Sequence, residues 1–382
     1  MTEKLYYKDS FIHEFDAAVL ECREGKKGWE IVLERTAFFP EGGGQSADTG
    51  YIGEAYISDV HERGGEILHY SDRPLEAGRS YPCRIDFEQR LRRMQNHSGE
   101  HIVSGLSHQL YGVENVGFHM GAESMTIDFD KELTWEELER VETLANEKIR
   151  ENIPVLCRFP DEEELKSLEY RSKLELTENV RIVEMEGVDR CACCAPHVKS
   201  TGQVGSIKLL DSMRHRGGVR VTLICGMDAL DNYRLCQTSA VEAARMLSVK
   251  RHELPAAVER LLSEQTAKKE RISALGMALA KKTAESYSES DGNICCFEDV
   301  LDEIALRELV NMLSEKCAGY AAAFSGSDAE GYRYIIGSRH VDLRKAAKEI
   351  NAGIGGRGGG SCEMIQGRAS LSRREIEKFI LQ

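Results

Sequence analysis

The sequence predicts an α+β protein of several domains, β-rich at its N-terminus, helical in its middle and α/β at its C-terminus. Three observations carry that prediction. Residues 1–88 hold short runs such as "WEIVLERTAFF", "EILHY" and "YPCRIDF", rich in β-branched and aromatic residues and parted by Gly-rich turns. From about residue 228 to 287 apolar residues recur at helical spacing. After Gly292, strand and helix patterns alternate over about 90 residues, the mark of a separate α/β unit.

Each element has a local reason. The most marked turn of the β-rich segment is "EGGGQSADTG". "EQRLRRMQNHSGEHIVSGLSHQLYG" then reads as a helix: Leu91, Met94, Ile102, Gly105 and Leu106 share its spacing, Gly112 is a natural stop, and Gly99 weakens it. "LTWEELERVETLANEKIREN" is a second helix, opened by the T-x-x-E pattern of Thr134 and followed by Pro154. "VRIVEME" and "GVRVTLIC" read as strands. Pro255 divides the next helical region and opens its second helix, where Leu261, Ile272, Leu275 and Leu279 form an apolar stripe suited to a helical hairpin or a dimer contact. The last unit reads as strand "NICCFE", helix "EIALRELVNMLSEKC", strands "YAAAFSG" and "GYRYIIGS", helix "VDLRKAAKEINAG", a glycine loop, and a final helix opening with Ser372-x-x-Glu375. No internal repeat interrupts this order.

The chain of 382 residues, 41% hydrophobic and 30% charged, has a globular composition. Its N-terminus has no apolar run of signal-peptide length, and no window approaches a membrane span. Twelve cysteines without an export signal read as reduced thiols or metal ligands, which points to the cytoplasm. A formal charge of −14 argues against a broadly basic nucleic-acid coat. Yet residues 332–382 hold ten Lys and Arg against five Asp and Glu, the composition of a face for an anionic partner or of a solvated helical surface.

The chemistry starts at "HSGEH". His97 and His101 lie four apart, on one face of the helix, where two imidazoles can meet one metal ion. About ninety residues later "DRCACCAPHVKS" supplies His197 and the thiols Cys191, Cys193 and Cys194. A Cys/His pair from there completes a tetrahedral zinc set, with the choice of cysteine open. The same five letters also spell H-x-x-E-H, a zinc-peptidase pattern with Glu100 as general base. That reading needs a position left for water, and four protein ligands close it. "GIGGRG", residues 353–358, matches G-x-G-x-x-G, but a helix pattern precedes it where a dinucleotide fold needs a strand.

"RTAFFPEGGGQSADTG", "HSGEH", "CCAPHVKSTGQVGSIKLL" and "GGRGGG" stand in the order they have in the editing and C-terminal parts of alanyl-tRNA synthetase. The chain resembles that family over nearly its whole length, and within it the free-standing editing proteins of the AlaX type in their long form. The resemblance implies a small β-barrel over residues 1–88, a zinc-containing editing domain over 89–238, a helical connector over 239–288 and a DHH-associated α/β domain over 289–382. It implies one zinc per chain on His97, His101, Cys193 and His197. The family's Gly-Gly-Thr between the last two is Cys-Ala-Pro here, with the spacing kept. It implies a substrate-binding loop of Gly42, Gly43 and Gly44, Thr36 as reader of a serine hydroxyl, Gln45 and Glu100 as catalytic candidates, and Arg357 near an RNA phosphate. The implied reaction is hydrolysis of tRNA(Ala) wrongly charged with serine or glycine, since a pocket for alanine cannot strongly reject an isostere that adds a hydroxyl. A homodimer through the connector or the C-terminal domain would suit the apolar stripe. The competing readings are the peptidase and a zinc-stabilised RNA-binding protein without catalysis.

Overall fold

The computed structural model describes residues 2–25, 28–172 and 180–382, and the chain divides into two compact units, Met1–Ser239 and Ala240–Gln382. The first unit begins with β1 (Glu3–Lys4), β2 (Glu14–Gly25), β3 (Gly28–Leu33), β4 (Arg35–Thr36), β5 (Gly50–Ile52), β6 (Ala55–Arg63), β7 (Glu66–Ser71) and β8 (Ser80–Ile85). Six of these close into a barrel in the order β2-β3-β7-β6-β5-β8, while β1 and β4 pair in parallel. Alternate residues such as Val19, Ile31, Leu33, Ile57 and Ile67 fill the barrel interior.

There follow α1 (Phe87–Tyr111), β9 (Asn115–Met120), β10 (Met125–Phe129), α2 (Trp135–Glu151), β11 (Val155–Arg158), α3 (Glu162–Ser167), β12 (Ile182–Met185), β13 (Asp189–Ala192), β14 (Ile207–His215) and β15 (Gly218–Cys225). Asp86 caps α1 by accepting from the Gln89 N–H, and Gly112 ends it at a φ of 61°. Thr134 and Glu137 close the expected capping box on α2. The antiparallel sheet β14-β15-β10-β9 shares a core with α1 and α2 through Ile102, Leu106, Ile127, Val141 and Val221. Gly99 is more than a weak point in α1. A Cβ there would lie 2.2 Å from the Cys225 sulfur, so the glycine is what lets the helix lie directly on β15.

The helix α4 (Met227–Met246) runs into the second unit, followed by α5 (Leu254–Ser286), with Pro255 in its first turn as the sequence predicts. Then come β16 (Ile294–Phe297), α6 (Glu303–Ser314), β17 (Ala321–Ser327), β18 (Gly331–Gly337), α7 (Leu343–Ile354), β19 (Gly356–Gly360), β20 (Met364–Ala369) and α8 (Arg373–Ile380). Their sheet order is β16-β17-β18-β20-β19. In the α5 stripe Leu261, Ile272 and Leu275 remain 45%, 65% and 55% exposed. No helix among the described residues is long and apolar enough to cross a membrane.

One expectation is corrected here. The Gly-Gly-Arg-Gly-Gly-Gly stretch is not a loop but the edge strand β19, in register with β20. Pairing requires glycine at particular positions: a Cβ on Gly358 would lie 2.2 Å from the Gln366 carbonyl oxygen, and one on Gly367 of β20 2.3 Å from that of Arg357.

Candidate metal centre

Helix α1 presents His97 and His101 from consecutive turns, both buried, with ring centroids 5.4 Å apart. The chain leaving β13 turns back through residues 193–197 onto the same spot. Arg181 holds that turn, its Nη1 donating to the carbonyls of Cys193 at 3.0 Å and Ala195 at 2.8 Å. One donor atom each from His97, His101, Cys193 and His197 comes within 4.8 Å of all the others. The Cys193 sulfur is 3.5 Å from His97 Nε2 and 3.4 Å from His197 Nε2. A tetrahedral zinc with bonds of ~2.3 Å to sulfur and ~2.0 Å to nitrogen sets that separation near ~3.5 Å, so the donor set fits the ion. The backbone also separates the three cysteines. Cys191 groups with His101 and Asp189, while Cys194 is exposed, its sulfur beside the spot that a Cβ on Gly43 would occupy.

Each of the three histidines is anchored through its other ring nitrogen. His97 Nδ1 meets Gln45 Oε1 at 3.2 Å, His101 Nδ1 meets Asp189 Oδ2 at 2.9 Å, and His197 Nδ1 meets Ser98 Oγ at 3.0 Å. Such partners fix the tautomer and turn Nε2 toward the metal. Arg171 grips Asp189 with two bonds, at 2.8 and 3.0 Å. Burial opposes ionisation of Asp189, but the bonds from His101 and Arg171 outweigh it and hold the carboxyl below its usual range. Burial, reinforced by His101 and His97, keeps His197 well below the normal imidazole range and therefore neutral, as a ligand must be. Burial and the neighbouring Cys194 push the Cys193 thiol up, so a bound cation would have to displace its proton.

A pocket opens over these donors, lined by Gly43, Gly44, Glu100 and Phe118 among others. Gly42 and Gln45 exchange backbone bonds at 3.0 Å, and Gly43 and Gly44 between them have φ of 60° and 80°, a two-residue turn with left-handed central residues. That geometry demands glycine, and it puts two of the three expected loop glycines, 43 and 44, on the pocket wall. Glu100 is buried at the same wall. Its Oε1 accepts from Ser104 at 2.7 Å and from Asn115, and its Oε2 lies 3.8 Å from His101 Nε2.

Two expected site residues do not line the pocket. Thr36 sits inside the barrel, fully buried, and does not line the pocket. Its hydroxyl is 2.8 Å from His69 Nε2 and accepts from the Phe38 N–H at 3.1 Å. Because His69 Nδ1 donates to the Ile31 carbonyl at 3.0 Å, Nε2 is the acceptor and Thr36 the donor. That hydroxyl has no donor left for a substrate. Gln45 stands behind His97, its Oε1 at the Nδ1 side of that ring, and its Nε2 is buried without a partner among the described residues. Ser98, Asp189, Arg171 and Arg181 were not foreseen. An acid four residues before a ligand cysteine, and a serine beside a ligand histidine, were the available signals.

In the second unit Arg357 is exposed on β19, opposite Arg368 of β20, which is opposite Arg333 of β18. All three line one groove, and none is in an ion pair among the described residues. Like charges directly opposite in a sheet destabilise it.

Residues 180–221 match the family model described as the threonyl and alanyl tRNA synthetase second additional domain. The alanyl-tRNA editing protein AlaX-L of Pyrococcus horikoshii is 28% identical, with 100% of this chain and 98% of that protein covered. An alanine–tRNA ligase of Halobacterium salinarum is 33% identical over 88% of this chain, and one of Ignicoccus hospitalis is 30% identical over 94%. The chain spans 38% and 40% of the length of those ligases. The crystal structure of the C-Ala domain from Aquifex aeolicus alanyl-tRNA synthetase aligns with 25% of this chain at 16% identity and a TM-score of 0.21.

Proposed function

We propose that this chain, a full-length relative of the AlaX-type alanyl-tRNA editing proteins, hydrolyses the ester of tRNA(Ala) wrongly charged with serine, and to a lesser degree glycine, releasing intact tRNA. The observation that carries the reading is the convergence of four zinc-type donors from two distant segments beneath a pocket walled by glycine backbone and one carboxylate. Zinc held by His97, His101, Cys193 and His197 would supply positive charge that polarises an ester carbonyl or water beside it.

The chain's own groups divide the remaining work. Gln45, Asp189 and Ser98 hold the three imidazoles in the ligating tautomer. Ser104 and Asn115 hold one oxygen of Glu100, and its other oxygen lies 3.8 Å from His101 Nε2, which places the carboxylate beside the metal donors, where a general base for an attacking water belongs. The N–H groups of the Gly43–Gly44 turn can approach the ester closely because no side chain intervenes. Thr36, its hydroxyl bonded to His69 and to the Phe38 N–H and away from the pocket lining, is read here as a structural residue of the barrel. A fourth protein ligand favours this reading over the peptidase, whose zinc keeps one position for water.

The unpaired row Arg333, Arg368 and Arg357 supports a tRNA-backbone contact for the second unit, since phosphate would relieve its mutual repulsion. Arg368→Ala should weaken tRNA binding and reduce the salt slope by about one, and an unchanged slope would exclude the row from the contact.

The test of the main reading is deacylation of Ser-, Gly- and Ala-tRNA(Ala) side by side under excess substrate. Turnover of the seryl ester with the alanyl ester spared is expected. Stoichiometric binding without turnover would favour a non-catalytic RNA-binding protein.

A further inference from the structure

Phe159, just beyond β11, is 51% exposed although it lies on the wall of the metal pocket. A phenylalanine held half in water beside a polar centre adds little to the core. Its ring is nonetheless held in place. It meets Tyr7 edge-on, with centroids 5.4 Å apart and planes at 75°. Tyr7 packs in turn on the buried Tyr6 at 4.6 Å. On the other side the Arg181 guanidinium lies 5.3 Å from the Tyr7 ring centroid. This is the arginine that fixes the Cys193 and Ala195 carbonyls, so the aromatic pair and the metal-ligand turn are tied to one buried side chain. An open aromatic face is thereby set at a constrained position relative to the metal donors.

We infer that Phe159, backed by Tyr7 and Arg181, is a stacking platform for the terminal nucleobase of the acceptor strand. The inference rests on the editing reading above, because the base nearest an aminoacyl ester is the one on the same ribose. Three features favour a base over an apolar side chain as occupant. The ring offers a flat π face, which any base can cover. Arg181, whose bonds go to uncharged carbonyls, lines the pocket and brings positive charge suited to a nucleotide, while the charge of Arg171 is met by Asp189. The same pocket lining includes the glycines of the turn, whose lack of side chains leaves room for ribose. Phe159 would thus position the substrate without touching the reacting atoms.

The test uses the full-length, zinc-loaded protein and two probes, 5′-AMP and ribose 5-phosphate, followed by ligand-observed NMR. The wild type should bind AMP and show far weaker binding of ribose 5-phosphate. Phe159→Ala should lose at least about tenfold in AMP affinity, and Phe159→Tyr should keep it, with zinc content unchanged in both. In deacylation of Ser-tRNA(Ala), Phe159→Ala should raise KM by a similar factor and leave kcat within a few-fold. Equal binding of the two probes, undiminished AMP binding by Phe159→Ala, or a loss confined to kcat would overturn the platform. Because the AMP measurement needs no turnover, it fails or succeeds independently of the deacylation that tests the enzyme.

Discussion

Thr36→Val replaces a buried hydroxyl by a methyl group at nearly constant volume. The structure gives that hydroxyl two jobs: it donates to His69 Nε2 and accepts from the Phe38 N–H. Valine can do neither, and with Thr36 fully buried the two groups it abandons are shut off from bulk solvent. Each unpaired buried group costs about 1–3 kcal/mol, so for the two groups a total loss of about 2–6 kcal/mol is expected. Urea unfolding followed by circular dichroism would read it as a fall in midpoint at constant slope. At temperatures where the variant remains folded, the ratio of Ser- to Ala-tRNA(Ala) deacylation should match the wild type, because the hydroxyl is spent inside the barrel. A variant of wild-type stability with an eroded ratio would refute the reasoning and return Thr36 to the substrate.

Asp189→Asn keeps the size of the group behind His101 but removes its charge and loosens the clamp from Arg171, so zinc affinity measured by chelator competition should fall by about 10–100-fold; unchanged affinity would mean that the carboxylate does not set the His101 tautomer. Gly99→Ala gains helix propensity but drives a Cβ to 2.2 Å from the Cys225 sulfur, so a net loss of about 1–3 kcal/mol is expected, relieved when Cys225→Ala is added; equal stability of the single and double variants would show that α1 does not rest on β15 there. Burial depresses His69 from 6.5 to about 4. The unfolded chain therefore binds a proton that the folded one refuses, and stability complete above pH 6.5 should decline by about 3 kcal/mol toward pH 4; comparing unfolding of the wild type and His69→Gln across that range isolates the contribution, and identical pH slopes would contradict it.

What the sequence disclosed follows from which signals are periodic. The helices carrying the site were legible because apolar spacing, the Thr134 and Ser372 caps and the stop at Gly112 all agree, and the structure bears each of them out. The histidine pair was legible for the same reason, since four residues on a helix bring two side chains to one face. Spacing does not separate Cys191, Cys193 and Cys194, because the turn after β13 has no period, and its course is fixed by Arg181 immediately before the neighbouring strand β12. Thr36 lies on a two-residue strand, too short for alternation to say which side faces in. Glycines carry no pattern at all, which is why β19 reads as a loop until its partner β20 is seen. Gln45 and Asp189 lie 52 and 88 residues from the histidines they orient, contacts that only tertiary structure creates.

On the proposed function, one zinc held by His97, His101, Cys193 and His197 makes this a serine-releasing site. That reading is tested most directly by measuring zinc content and multiple-turnover serine release from Ser-tRNA(Ala) on the same preparations of wild type, Cys193→Ser and Cys194→Ser. The wild type and Cys194→Ser should each carry one zinc and turn over, while Cys193→Ser should lose metal and turnover together. A Cys193→Ser protein that retains its zinc and its rate would contradict the account.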